Sequence, residues 1–448
     1  AYQERHKPKP VEKRPLAVGD TVYLENDHPF TVEEIGIFDV HLRDEDFPLI
    51  GRAVNRAEFA RLLAANPKNQ ALAAPDTVVE GQVIEKTDTP DEPAEETSSG
   101  FGEQVLQAAE LIALREAYFP NNYIPPQNPA PPRTPREKFA ANITAIRTLK
   151  SIEKRMADGG SHANGEEQEI LAQYSGWGGL SDAFEPNKDS WHSEYTELKS
   201  LLTEEEYAAA RSSTLTAFYT PPEVIDAMYT ALRKMGVGAG TILEPSMGVG
   251  AFFGQSHSYL YEPTTRLFGV ELDSLTGRIA RQLYQKANIQ ITGFEKADLP
   301  DSFFDVVIGN VPFGDYSVVD PQYNRLHFKI HDYFFAKSID KLRTGGIIAF
   351  ITTSGTLDKK SEEVRRYINA RCDFIGAVRL PDSTFKSAGT KAMADIIFLQ
   401  KRDRILEQDA SWLHTTQTED GLSLNSYFAE HPEMVCGTLK TVSGPYGP

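Results

Sequence analysis

The sequence predicts an α/β protein built around a mostly parallel, doubly wound sheet. Three observations carry that prediction. From residue 241 onward, seven short apolar stretches recur, at 241–244, 267–272, 289–292, 304–309, 347–352, 374–379 and 395–400. Helical periodicity falls between the first five of them and returns over 361–371, so strands and helices alternate in βαβ order. The last two stretches are joined without an obvious helix, which fits a closing β-hairpin.

Upstream of that sheet the pattern changes. Within 18–44, Phe30/Val32 and then Phe38/Val40/Leu42 alternate as in half-buried strands, and 56–66 reads as one short helix, so 1–75 is expected to be a small β-rich module. Residues 76–100 hold eight acidic side chains and one Lys, with little to bury, and read as a flexible acidic linker. A helical pattern covers 101–118, and seven prolines between Pro120 and Pro135 then call for extended, polyproline-like backbone. A helix restarts near Arg136, with Phe139, Ile143, Ile146 and Leu149 on one stripe. Arg147, Lys150, Lys154 and Arg155 lie mostly off that stripe, as a solvated basic face or, alternatively, one that meets phosphate. Residues 174–180 read Tyr-Ser-Gly-Trp-Gly-Gly-Leu, a tight turn close to Trp177. The expected division is therefore the module 1–75, the linker 76–100, a helical region with its Pro-rich segment over 101–214, the α/β domain 215–405 and a C-terminal extension 406–448.

A chain of 448 residues with 40% hydrophobic and 25% charged residues is globular. The formal net charge of -18 argues against gripping nucleic acid by charge alone, though an acidic body can still carry a local basic groove. Cys372 and Cys436 have neither metal-ligand spacing nor the numbers for a disulfide framework, and metal ligands are not expected. No apolar run reaches the ~18 residues of a membrane span, and the N-terminus lacks the apolar core of a secretion signal. A reduced, soluble, cytoplasmic protein is expected. The chain opens without Met and stops at Gly-Pro-Tyr-Gly-Pro, and it reads as a fragment of something longer.

In a doubly wound sheet, ligands sit beyond the carboxyl ends of the strands, near the switch in strand order. Three loops there are chemically unusual. After the first strand comes Glu244-Pro245-Ser246-Met247-Gly248-Val249-Gly250-Ala251-Phe252, whose glycines let backbone approach a ligand. The dinucleotide fingerprint needs a third glycine where Phe253 stands, and the preceding Glu244 suits an ammonium or sulfonium better than a pyrophosphate. After the second strand, Glu271 is positioned to accept both hydroxyls of a ribose, with Leu272 against an adenine face. After the fourth strand comes Gly309-Asn310-Val311-Pro312-Phe313-Gly314. The Asn310 side-chain oxygen and the Val311 carbonyl are two acceptors that can bind both hydrogens of one amino group and make its nitrogen nucleophilic. Phe313 offers a face for a flat base, worth ~1–3 kcal/mol, and Pro312 stiffens the turn.

These loops together resemble the gamma-type S-adenosylmethionine-dependent DNA adenine-N6 methyltransferases over about 215–402. Phe218-Tyr219-Thr220-Pro221 resembles the leading cofactor motif, the Glu244–Phe252 loop the glycine-rich motif, and Gly-Val-Glu271-Leu272-Asp the ribose-binding acidic motif. Gly293-Phe294-Glu295 occupies the place of the adenosine-contacting motif, Asn310-Val311-Pro312-Phe313 resembles the catalytic Asn-Pro-Pro-Phe/Tyr, and Leu-Pro-Asp-Ser-Thr-Phe with the stretch up to Lys401 resembles the closing region. Together with residues 174–180, the chain resembles the N-terminal methylase region of very large proteins on bacterial mobile elements, in which a helicase-like segment follows.

That resemblance implies a Rossmann-like seven-stranded methyltransferase sheet, S-adenosylmethionine as cofactor and DNA as partner, with a helicase-like region in the same longer chain. It implies that Asn310, Val311, Pro312 and Phe313 hold a flipped adenine. Glu244, Pro245, Ser246, Met247, Gly248, Gly250 and Phe252 would line the methionine end, with Phe218, Tyr219 and Thr220 closing over the cofactor. Glu271 and Leu272 would take the ribose and adenine, and Phe294 and Glu295 would contact the adenosine. Two departures stand out. Val311 replaces the family's Pro and costs the loop a rigid residue, and Glu295 is preferred over Asp298 where the family has an Asp. Only 46 residues follow Arg402, too few for a dedicated target-recognition domain. Methylation of a protein glutamine or of RNA, and a non-catalytic or conditionally active DNA-targeting module, are the alternatives.

Overall fold

The computed structural model describes residues 14–17, 20–23, 29–35, 39–44, 51–55, 59, 63, 67–69, 72–73, 121–126, 133–214, 219–260, 264–385, 393–418 and 421–439. The chain divides into two compact units, Ala1–Thr97 and Ser98–Pro448. In the first, strands Thr21–Tyr23, Pro29–Ile35, Asp39–Asp44 and Gly51–Asn55 pair antiparallel in chain order. Val22, Val32 and Leu42 bury one face of that sheet against Leu16, Phe59 and Leu63. Phe59 and Leu63 are helical, within the helix expected over 56–66. Strand Gly51–Asn55 was not legible, because Gly-Arg-Ala-Val-Asn has no period-two pattern; pairing with Asp39–Asp44 recruits it. The acidic stretch 76–100, the helical pattern 101–118 and Phe38 lie outside the described residues.

The second unit carries the large sheet. Its strands are β1 (Thr241–Glu244), β2 (Arg266–Glu271), β3 (Asn288–Ile291), β4 (Phe304–Asn310), β5 (Leu342–Thr353), β6 (Cys372–Leu380) and β7 (Ala394–Lys401), in the spatial order β6-β7-β5-β4-β1-β2-β3. All neighbours are parallel except β7, which runs antiparallel between β5 and β6. The apolar runs follow from burial on both faces. From Val306 onward successive β4 side chains serve opposite cores, Val306 and Ile308 on one face and Val307 on the other, and a register shift between Phe304 and Val306 puts Phe304 with Val307. Between β3 and β4 there is only the short 3-10 turn Phe294–Lys296 where a helical pattern was expected; the connection is too short, and Pro300 interrupts it.

The helices are α1 (Pro135–Ala157), α2 (Gly165–Leu171), α3 (His192–Leu201), α4 (Glu204–Ser213), α5 (Pro222–Lys234), α6 (Ala251–Ser256), α7 (Ser274–Leu283), α8 (Ile330–Lys341), α9 (Gly355–Asp358), α10 (Glu363–Asn369) and α11 (Ser426–Glu430). Thr134 and Glu137 form a capping box that starts α1 where the sequence places it. Phe139, Ile143, Ile146 and Leu149 are all buried, and they share one core with Met247, Leu275, Ile279 and Leu283 of the sheet domain. The basic face of α1 is largely solvated, with Arg147 mostly exposed and Lys154 exposed, and three of its four cations also carry carboxylate partners. Arg147 pairs with Glu197, Lys150 with Glu206 and Arg155 with Glu167, so most of it knits the helical region together. Residues beyond Arg402 also join the sheet: Trp412, Leu413, Leu424 and Phe428 are buried in its core, and Trp412 stacks on Phe374 with centroids 4.6 Å apart. Among the described residues, no helix is long and apolar enough to cross a membrane.

Candidate active site

β1 and β4 are adjacent, with Ile242 opposite Val306 and Leu243 opposite Val307. The chain leaves them in opposite directions across the sheet, so the loops after Glu244 and Asn310 meet at the switch in strand order. A cavity of about 770 Å³ opens there. Its lining includes Tyr219, Thr220, Glu244, Pro245, Ser246, Met247, Gly248 and Phe252, and also Glu271, Leu272, Phe294, Glu295, Asn310, Val311, Pro312 and Phe313. Of the expected cofactor residues, Phe218 lies outside the described residues, and Gly250 does not line the cavity. Gly250 takes φ +86° at the start of α6, where a β-carbon would meet the Tyr284 ring at 2.4 Å, so its glycine is demanded by the turn itself.

The catalytic-type loop is held at both ends. Asn310 Nδ2 donates to Thr220 Oγ1 at 3.2 Å, which turns Oδ1 of the amide away as the free acceptor. Ser246 Oγ donates to the Asn310 carbonyl at 3.0 Å, joining this loop to the glycine loop. Val311 N–H donates to the Ile351 carbonyl of β5 at 3.1 Å, and its side chain is 1% exposed in the core. A proline at 311 has no N–H to give. The rigidity expected to be lost with proline is thus supplied by an extra rung to β5. Asp298 is exposed and does not line the cavity, whereas Glu295 does.

Two carboxylates, Glu244 buried and Glu271 half-buried, dominate the electrostatics. Glu244 is 2% exposed, and its Oε2 has no hydrogen-bond partner. Burial, and then the nearby Glu271 carboxylate, raise its pKa well above the usual carboxylate range. Glu271 accepts from Gly248 N–H and from Asp273 N–H, both at 2.8 Å. Burial outweighs those two bonds and pushes its pKa up to about 7. An orphaned buried acid is costly, and a cationic ligand group placed beside it relieves that cost. The mouth is apolar: Leu272 is 76% exposed and Tyr316 52%.

Residues 201–425 match the N-6 DNA Methylase family model. The chain belongs to that family. It is also 26% identical over 290 residues to the defense against restriction protein B of Escherichia phage P1, a match covering 63% of this chain and 11% of that protein. The chain thus spans about a tenth of that relative's length. Among solved structures, the methyltransferase subunit of a type I restriction-modification system from Streptococcus thermophilus shares 16% identity at a TM-score of 0.38, covering 75% of this chain and 78% of that one. The cofactor of the N-6 DNA Methylase family is S-adenosylmethionine. The residues present fit it: an unpartnered buried carboxylate for its positive end, a second carboxylate beside a glycine turn, and a cavity of matching chemistry.

Several lining residues escaped the sequence reading, among them Tyr174, Gly176, Thr276, Tyr316, Phe334 and Phe385. Phe385 belongs to the closing Leu-Pro-Asp-Ser-Thr-Phe stretch, which was recognised as a motif without a site role. Phe334 lies on α8 and packs tilted against Phe294 with ring centroids 4.9 Å apart, a long-range contact with no local signal.

Proposed function

We propose that this chain transfers a methyl group to the N6 amino group of adenine in DNA, with the base turned out of the duplex and laid against Phe313. One observation carries the reading. Asn310, its amide oriented by Thr220, and the Val311 carbonyl share a cavity with the glycine loop and Glu271. S-adenosylmethionine supplies an electrophilic methyl on a sulfonium. Glu244 and the Gly248 backbone hold the methionine end, Glu271 the ribose, and Leu272, Phe294 and Glu295 the adenine side. Tyr219 and Thr220 close over them.

Asn310 Oδ1 and the Val311 carbonyl accept the two amino hydrogens of the base. They draw the nitrogen lone pair out of the ring and aim it along the line of attack. As the N–C bond forms, the methyl–sulfur bond would break and leave the neutral thioether S-adenosylhomocysteine, and the amino nitrogen would shed one proton along these acceptors to solvent. Neither acceptor is a strong base, so orientation and proximity supply most of the acceleration. The substrate is cytoplasmic DNA, and the further partner is a helicase-like region of a longer chain.

The test is transfer of labelled methyl from S-adenosylmethionine to unmethylated plasmid DNA, RNA and a glutamine-bearing protein, followed by nucleoside mass spectrometry. N6-methyldeoxyadenosine is expected. Label in RNA or protein alone moves the substrate class, and binding without transfer to any of them supports the non-catalytic alternative.

A further inference from the structure

The turn at 174–180 has no site role assigned above, yet it reaches the cofactor cavity. Asn142 of α1 fixes it from behind, donating from Nδ2 to the Gly176 carbonyl at 2.6 Å and accepting from Ser175 N–H at 2.9 Å. Trp177 is 1% exposed, wedged against Phe139, Tyr174 and Phe184. Gly179 N–H donates to the Thr214 carbonyl at 3.4 Å, just where the segment leading to Tyr219 departs. Gly176, at φ +65°, lies so close to Tyr219 that a β-carbon there would meet the ring at 3.0 Å. On its other edge, Tyr219 sits 3.3 Å from the place a β-carbon would take on Gly248. The ring is thus gripped between this turn and the glycine loop.

The turn also presents a polar group. Tyr174 is 2% exposed and lines the cavity, and its hydroxyl, with Thr276 and Trp177 as its nearest polar neighbours, makes no hydrogen bond within 3.5 Å. Burial, and then the Asp273 charge, raise its pKa, so the hydroxyl keeps its proton and can donate. Glu271 and Thr276 lie close by, on the side of the cavity assigned to the ribose. Buried hydroxyls without partners are rare and call for a ligand.

We infer that the 174–180 turn is a clasp on the cofactor site: Gly176 seats Tyr219 on the glycine loop, and Tyr174 Oη donates a hydrogen bond to the adenosine half of S-adenosylmethionine. This rests on the cofactor placement proposed above. Tyr174 and Gly176 are positioning residues and do no chemistry on the methyl group.

The test is calorimetric titration of S-adenosylmethionine and S-adenosylhomocysteine into the full chain, with melting curves taken with and without ligand. Tyr174→Phe is expected to weaken both ligands ~3- to 10-fold, the worth of one hydrogen bond. The ligand-free melting temperature should stay unchanged or rise, because an unpaired buried hydroxyl has been removed. A purely structural role would instead lower the ligand-free melting temperature. Gly176→Ala should weaken binding more, about tenfold or beyond, while Gly165→Ala, whose β-carbon meets nothing within 4 Å, should bind as wild type. Wild-type affinity in Tyr174→Phe overturns the clasp. Glu271→Ala separates the two levels: if it too binds normally, the cofactor placement itself is wrong, and if it alone weakens binding, only the clasp is.

Discussion

Val311 shows how one residue can replace a family feature by a different physical device. Its N–H bonds Ile351, and its side chain fills the core beside β4. Val311→Pro should therefore lower stability by about 1–3 kcal/mol in chemical denaturation, since the Ile351 carbonyl loses its donor, and should not raise kcat. Glu271 makes a second prediction. Its folded pKa lies at about 7, above the ordinary 4.5. A carboxyl raised in this way costs the ligand-free protein stability as pH climbs from 4.5 through 7, and a ligand that needs the ionised form must expel its proton below 7. Affinity for S-adenosylmethionine should be flat above about pH 8 and weaken up to tenfold per unit below 7. Calorimetry in buffers of different ionisation enthalpy should detect proton release at pH 6 and little at pH 8.

At the scale of elements, α1 and the 174–180 turn form a support behind the sheet domain. Asn142 is fully buried and makes the two bonds that shape the turn. Asn142→Ala should cost about 2–4 kcal/mol, because Ser175 N–H and the Gly176 carbonyl lose their partner, and should loosen cofactor binding as well. Denaturation and calorimetry on the same protein check both. Much of this scale was legible. The seven strands follow from short apolar runs alternating with helical patterns, the hairpin that closes the sheet from the missing helix between the last two runs, and the start of α1 from its stripe at period 3.6. The three loops at strand ends carried their chemistry in residue type and spacing. What could not be read was long-range. Tyr219 beside Gly176, Phe334 against Phe294, and the ion pairs that engage most of the basic face of α1 depend on chain segments distant in sequence.

For the whole molecule, two units with separate cores stand in one chain. A chain starting at residue 98 retains every described residue of the cavity, so its affinity for S-adenosylmethionine, read by calorimetry, should stay within about twofold of the full chain. On the proposed reading, the net charge of -18 places the burden of DNA binding on local features rather than on a general cationic field. The central claim is that the loop from Asn310 to Phe313 orients an adenine amino group. Asn310→Ala tests it most directly, with methyl transfer to DNA and cofactor affinity measured on the same sample. Methylation should fall by at least about a hundredfold, since an orienting acceptor is removed, while the Kd for S-adenosylmethionine stays within about threefold. An Asn310→Ala protein that methylates adenine at the wild-type rate would contradict the claim outright.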